Sequence, residues 1–277
     1  MADSINDDLN PVKQLESWDV GKAKRFLDAP EPKDHKYRRG VIGCMTGSRR
    51  YPGAALMTTA AALATGVGMV RYFGATSIGR EAIQFRPAVV LGNGKVDALL
   101  LGSGISDNLF SRLRLSKAVK QEVPKILDAI AIELVKKSDS RTIITPHAGE
   151  LAKLIGISSL EIEKRPDHYA RLTAREFQVT VLLKGWQTIV ANPTRVISLP
   201  PAPTWLATAG TGDVLAGILG GLVAINHAQV TVDNLIEIAA TAALVHALAA
   251  KQASNGPLDI EAMINQIPEV IYKIARG

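Results

Sequence analysis

One cysteine stands in 277 residues. A lone Cys44 excludes an intrachain disulfide framework. Its place in the apolar run GVIGCMTG reads as a small buried hydrophobe, not a nucleophile. Aromatic residues are scarce, at 5% of the chain, which argues against a base-stacking surface for nucleic acid. Long apolar runs are missing too. Residues 214–225 are too few to span a bilayer, and 235–250 carry Glu237 and His246, so no transmembrane helix is expected. The opening MADSINDDLN is acidic and polar, unlike a signal peptide. No set of His, Cys and acids has metal-ligand spacing, so no protein-borne metal site is expected. No Ser-His-Asp arrangement is supported by the spacing, and no GxGxxG follows an apparent strand. These absences leave a cytoplasmic enzyme acting on small molecules, with no nucleic-acid and no membrane partner.

The rest of the composition is that of a globular chain: 47% hydrophobic and 21% charged. The net charge of +6 and a pI near 9.4 suit anionic ligands. Residues 1–34 are charged and proline-punctuated and read as an extension, with a short helix near Trp18–Leu27 and a loop, packed on a single domain at 35–277. In that domain, strands are expected at 39–47, 68–74, 98–102, 123–129, 142–146, 179–185 and 188–193. Helices are expected at 52–66, 149–156, 213–225, 233–252 and 259–275. Pro52 suits a first helical turn, and Gly66 a helical stop. Strands alternate with helices, and several strands are apolar throughout. This predicts an α/β fold whose mostly parallel central sheet is covered by helices on both faces. Ligands of such sheets sit beyond the carboxyl ends of the strands. The turns at 46–53, 102–106, 145–149, 184–188 and 208–213 are therefore candidates for one crevice.

The stretch TWLATAGTGDVLAGILGGLVA (204–224) is the most informative. Gly210 and Gly212 allow a sharp turn and close approach to a ligand. A buried helix follows from about Asp213, and its free N–H groups attract an anion. A carboxylate beside an anion hole makes sense if it takes a proton from a hydroxyl while the amides hold a phosphate. The alternative is that Asp213 only caps its helix.

Weaker signals surround it. Lys184 and Gly185 end a strand and offer a phosphate or nucleotide contact, or an ordinary charged strand end. Glu150 can close a capping box with residue 147. His147 sits between a strand and a helix, where an imidazole can hydrogen-bond a substrate. GSRRYPGAA (47–55) can present amides and Arg49 or Arg50 to a ligand, or be a solvated basic loop.

Taken together, HKYRRGVIGCMTGSRRYPGAALMTTAAALATGVGMV, LLLGSGIS, KILDA, TPHAGELAKLIG, LLKGWQTIVANP and ATAGTGDVLAGILGGLVA resemble, in order, the ADP/ATP-dependent NAD(P)H-hydrate dehydratases. The resemblance covers about residues 35–275. The GTGD segment alone indicates only the wider ribokinase-like superfamily; the TPHxGE and GSxxYxGAA segments narrow it. The resemblance implies a ribokinase-like three-layer sandwich, in a stand-alone form without the epimerase domain that many relatives carry. It implies phosphorylation of the C6 hydroxyl of the S-form of hydrated NADH or NADPH by ADP or ATP, then loss of phosphate. By the same resemblance, Asp213 is the base, and Gly210, Thr211 and Gly212 form the anion hole. Ala54, Ala55, Gly104, His147 and Asp213 hold the hydrated dinucleotide. Lys184, Gly185, Trp186, Gln187, Thr188 and Gly212 hold the adenine nucleotide, which brings Mg²⁺ with it. A homotetramer is also implied.

The chain departs from the family pattern at four positions. Ser103 replaces the proline of GPG, Ile130 the second aspartate of DADAL, and Ala64 a common arginine. Ala247 replaces a glycine after His246. Two other readings stay open: a ribokinase-like kinase for a small hydroxylated metabolite, and a non-catalytic nucleotide-binding relative.

Overall fold

The computed structural model describes residues 15–277; the MADSINDDLN opening lies outside the described residues. The chain begins with β1 (Glu16–Ser17) and α1 (Val20–Ala23), continued by a 3-10 turn at Lys24–Phe26. Then come β2 (Val41–Met45), α2 (Pro52–Ala64), β3 (Met69–Tyr72), α3 (Thr76–Phe85) and β4 (Val89–Leu91). β5 (Ala98–Leu101), α4 (Leu109–Ala118) and β6 (Lys125–Leu127) follow, with 3-10 structure over Ala129–Lys137. Next are β7 (Thr142–Ile144), α5 (Ala148–Ile155), α6 (Ser159–Lys164), α7 (Pro166–Phe177), β8 (Thr180–Leu183), β9 (Ile189–Ala191) and β10 (Val196–Ser198). The chain closes with α8 (Thr211–Ile225), α9 (Leu235–Ala253) and α10 (Ile260–Arg276).

Among the described residues, the ten strands join one sheet in the order β1-β10-β9-β8-β7-β6-β5-β2-β3-β4. From β8 to β4 every pairing is parallel; β9 runs against both β8 and β10. The alternation of strands and helices therefore had its expected consequence, a mostly parallel sheet with helices on both faces. Successive residues of each strand feed opposite cores. Ile42, Cys44, Val70, Leu100, Ile126 and Leu182 face one core, built with α2, α8, α9 and α10. Met45, Leu99, Leu101, Leu127, Val181 and Leu183 face the other, built with α4, α5, α6 and α7. Cys44 is fully buried in the first, and burial pushes its thiol up to about 12.

α8 is apolar around nearly its whole circumference because it lies between the sheet and two helices. A Cβ on Gly217 would sit 2.4 Å from the Thr58 carbonyl of α2, and one on Gly220 would sit 3.2 Å from Ile42 of β2. Its glycines are what allow that closeness. By length and composition α9 alone among the described helices could cross a membrane, but it is mostly buried against α8 and α10. Residues of the extension reach this layer: the buried Trp18 indole donates to Thr241 Oγ1 of α9, and Asn226 donates to the Phe26 carbonyl.

Several elements were not foreseen: α3, β4, α4, α6, α7, β10 and the 3-10 run. α4 has an unpatterned sequence, LFSRLRLSKA, and leaves Leu109, Phe110 and Leu113 exposed. β10 is only three residues long and is recognisable only by its pairing with β9 and β1.

Candidate active site

From β2 the chain steps outward to β3 and β4, then returns to the other side of β2 as β5. This order reversal opens a crevice beyond the carboxyl ends of β2 and β5. The five suspected turns meet there. Gly47 after β2 donates its N–H to the Ser103 carbonyl after β5 at 2.7 Å. Lys184 after β8 donates its N–H to the Pro146 carbonyl at 2.8 Å, and an isolated parallel bridge links it to His147. A Cβ on Gly212 would lie 3.6 Å from Lys184 Nζ, so the 208–213 turn closes the set.

The centre of the crevice is a buried polar network. Asp128, directly after β6, is 5% exposed. Its Oδ1 accepts from Thr145 Oγ1 at 2.7 Å and from Lys184 Nζ at 3.0 Å. Its Oδ2 accepts from Ser103 Oγ at 2.8 Å. Glu150 Oε2 lies 3.7 Å from the same ammonium. Burial opposes the charge on Lys184, but Asp128 and Glu150 outweigh it and hold its pKa above the usual lysine value. Asp128 and Thr145 were not chosen as site residues from the sequence. Their signal was positional: each directly follows a strand of a parallel sheet.

α8 begins at Thr211, two residues earlier than expected. Gly210 is its N-cap at φ 97°, a left-handed conformation that glycine adopts without strain. Gly212 is helical, so of the two glycines expected to allow a sharp turn only Gly210 makes it. Asp213 is the third helical residue and makes no capping hydrogen bond, which sets aside the reading of it as a cap. Burial, reinforced by the charge of Asp128 and opposed by Lys184, pushes its carboxyl up to about 7. The first turn is held from behind by His246 of α9, whose Nε2 donates to the Thr211 carbonyl at 2.9 Å. Burial lowers the His246 pKa to about 4, so the imidazole is neutral.

Two cavities flank the network. One, of about 670 Å³, is walled by Lys184, Gly185, Trp186, Thr188, Thr211 and Gly212, with His246 and the proline-rich segment after β10 opposite. Gln187 is not part of its wall; its amide donates to Ser198 Oγ instead. The other, of about 740 Å³, is lined by Arg50, Tyr51, Ile105, Ile130 and Glu150. Lys184 on the first wall and Glu150 on the second are the pair at 3.7 Å, so the cavities adjoin there.

Ala54, Ala55, Gly104 and His147 border the second cavity without lining it; their neighbours Tyr51, Ile105 and Glu150 do. Ala55 is fully buried, and its side chain can touch no ligand. Gly104 lies at φ 64° against Ala54. His147 closes the capping box of α5 with Glu150: its Nδ1 accepts from Gly149 and Glu150, and Glu150 accepts from the His147 N–H. Its Nε2 lies 3.6 Å from Glu150 Oε2, on a half-exposed ring.

Among the described residues, no three His, Cys, Asp or Glu side chains are placed to hold a metal ion. Asp128 and Glu150 turn instead onto the Lys184 ammonium.

The mostly parallel sheet and its helices have a ribokinase-like fold, and a mostly buried acid stands on the first turn of its glycine-capped helix α8. The NAD(P)H-hydrate dehydratase pattern matches residues 42–268, and the chain belongs to that family. An ADP-dependent (S)-NAD(P)H-hydrate dehydratase from Xanthomonas campestris is 29% identical over 92% of this chain and 96% of its own length. A bifunctional NAD(P)H-hydrate repair enzyme from Mycobacterium tuberculosis is 37% identical over 70% of this chain and 43% of its own. The chain spans about half the length of such bifunctional relatives. The crystal structure of the Bacillus subtilis ADP/ATP-dependent NAD(P)H-hydrate dehydratase, co-crystallised with ATP and Mg²⁺, superposes with a TM-score of 0.84. It is 23% identical and covers 95% of this chain and 99% of that one.

Proposed function

We propose that this chain returns hydrated NADH or NADPH to its reduced form at the expense of ADP or ATP. The observation that carries the reading is Asp213. It is a mostly buried carboxyl with a pKa raised to about 7, on a helix start that has no side-chain cap, one residue beyond Gly212 on the wall of the first cavity. A general base is most effective when its pKa lies near the working pH.

The first cavity suits the adenine nucleotide, with Trp186 as a ring to stack on and the Gly212 amide at the phosphate end. The second suits the hydrated dinucleotide, with Arg50 for its phosphates. Asp213 takes the proton of the C6 hydroxyl as that oxygen bonds to the terminal phosphorus, and the shortened nucleotide leaves. The C6–O bond then breaks, phosphate departs, a proton leaves C5, and the C5=C6 bond is restored. Splitting the dehydration in this way replaces a poor leaving group, hydroxide, with a good one. Uncapped N–H groups at α8 are aimed where charge builds on the transferred phosphoryl. A Mg²⁺ ion would be held by the nucleotide phosphates, not by a cluster of the described side chains, and would offset the phosphate charge. We place the enzyme in the cytoplasm as a homotetramer.

The test follows inorganic phosphate and reduced nicotinamide together, with hydrated NADH, Mg²⁺ and either ADP or ATP. The two products should appear in equal amounts. A stable phosphorylated dinucleotide with no phosphate release would make the chain a kinase, and no product with either nucleotide would refute the reading.

A further inference from the structure

We propose that the Asp128–Lys184 ion pair is a positioning device for Asp213, fixing one negative and one positive charge beside its carboxyl so that they act on its proton in opposite senses. The inference rests on reading Asp213 as the base.

Geometry carries it. Asp128 cannot swing, because Thr145 and Lys184 occupy one oxygen and Ser103 the other. The backbone is equally constrained. Ala129, the next residue, lies in the left-handed region at φ 49°, and a Cβ on Gly102 would fall 2.0 Å from the Asp128 carbonyl. Lys184 is therefore tied to a fixed anchor. Its ammonium stands against the first turn of α8 on one side and Glu150 of α5 on the other. A lysine so engaged is a fixed charge, not a free phosphate ligand. Its charge is secure, because the surrounding carboxylates hold its pKa above the ordinary value.

The remaining groups around Asp213 are accounted for. His246 of α9 is neutral and donates to the Thr211 carbonyl in the same helical turn. His147 lies on the far side of Glu150, with its Nε2 3.6 Å from that carboxylate. The two charges acting directly on Asp213 are Asp128, which raises its pKa, and Lys184, which lowers it; burial sets the larger background.

The experiment compares the acid limb of the kcat–pH profile in wild type, Asp128→Asn, Lys184→Met and Lys184→Arg. That limb reports the base in the bound complex. Asp128→Asn removes a repelling charge and should move the limb to lower pH. Lys184→Met removes an attracting charge and should move it to higher pH. Each shift should be about one pH unit. Lys184→Arg should restore the limb toward wild type.

If a variant has lost turnover, titrating its ¹³C-labelled Asp213 carboxyl by NMR reads the same shift. Should the buried substitutions not fold, Glu150→Gln gives a second handle. Glutamine preserves the capping box, and loss of this carboxylate leaves more of the Lys184 charge for Asp213, so the limb should move to lower pH. Limbs that stay put, or that shift the same way in Asp128→Asn and Lys184→Met, overturn the proposal. So does a Lys184→Met variant whose only defect is weaker ADP binding by calorimetry. Full turnover in Asp213→Asn would instead overturn the base reading itself, which separates the two failures.

Discussion

A methyl group on Gly104 would lie 2.3 Å from the Cβ of Ala54. The turn after β5 and the first turn of α2 therefore interlock with no room between them. Tyr51 is part of the same contact, with its carbonyl 3.2 Å from that position. The left-handed conformation at Gly104, φ 64°, adds a second reason for glycine. The pair shapes the edge of the second cavity, where Tyr51 and Ile105 are exposed to a ligand.

Gly104→Ala should therefore destabilise the fold by about 1–3 kcal/mol, measured by urea denaturation. It should also weaken binding of the hydrated dinucleotide more than binding of ADP, because we assign ADP to the other cavity. Equal losses for both ligands would contradict this placement.

Gly217→Ala tests the packing that brings Asp213 to the site. Its added methyl meets the Thr58 carbonyl at 2.4 Å and Ala61 at 2.8 Å, both in the body of α2. Since α8 is also pressed against the sheet, it has nowhere to retreat. A loss of about 1–3 kcal/mol is expected, although alanine has the higher helix propensity. A stabilised variant in chemical denaturation would show that the two helices are looser than described.

Asp213 should cost stability. Its pKa rises from 3.8 to about 7 on folding. Below pH 4 it is protonated in both states and carries no penalty. As pH rises from 4 toward 7 the unfolded chain ionises first, so the folded state loses ground, fully so above 7. Asp213→Asn should therefore be more stable than wild type at pH 8, by no more than about 4 kcal/mol. That advantage should shrink steadily toward pH 4. Thermal unfolding across this range checks the trend; an advantage independent of pH would contradict it.

Much of this arrangement was legible in the sequence. Strands such as VLL and ALLL are apolar throughout because helices cover both faces, so the parallel sheet followed from pattern alone. Glycine and proline punctuation located the turns, and the parallel topology brought them together. The polar network was harder to see. Asp128, Thr145, Lys184 and Ser103 come from four separate strand ends, and only sheet order makes them neighbours. The exact start of α8 was also hidden, since Gly210 and Gly212 are equivalent in sequence and differ only in their backbone angles. Gln187 could not be told from Trp186 either, because neighbouring residues of a turn can point to opposite sides of it.

That last difference is measurable. Trp186 is 67% exposed and lines the first cavity, while the Gln187 amide is engaged by Ser198. Trp186→Ala should lower ADP affinity by about five- to tenfold, the loss of one stacked ring costing on the order of 1 kcal/mol or more. Gln187→Ala should lower it far less. Calorimetric titration with ADP reads both, and the reverse ranking would mean that the nucleotide lies elsewhere.

The most direct test of the account is the turnover of Asp213→Asn on hydrated NADH with Mg²⁺ and ADP or ATP, beside its nucleotide affinity. The account predicts a folded protein that binds the nucleotide as wild type does but loses most of its turnover, about 100-fold or more. Turnover at the wild-type rate would contradict it, because Asp213 would then take no proton and the carboxyl at the head of α8 would have no part in the chemistry.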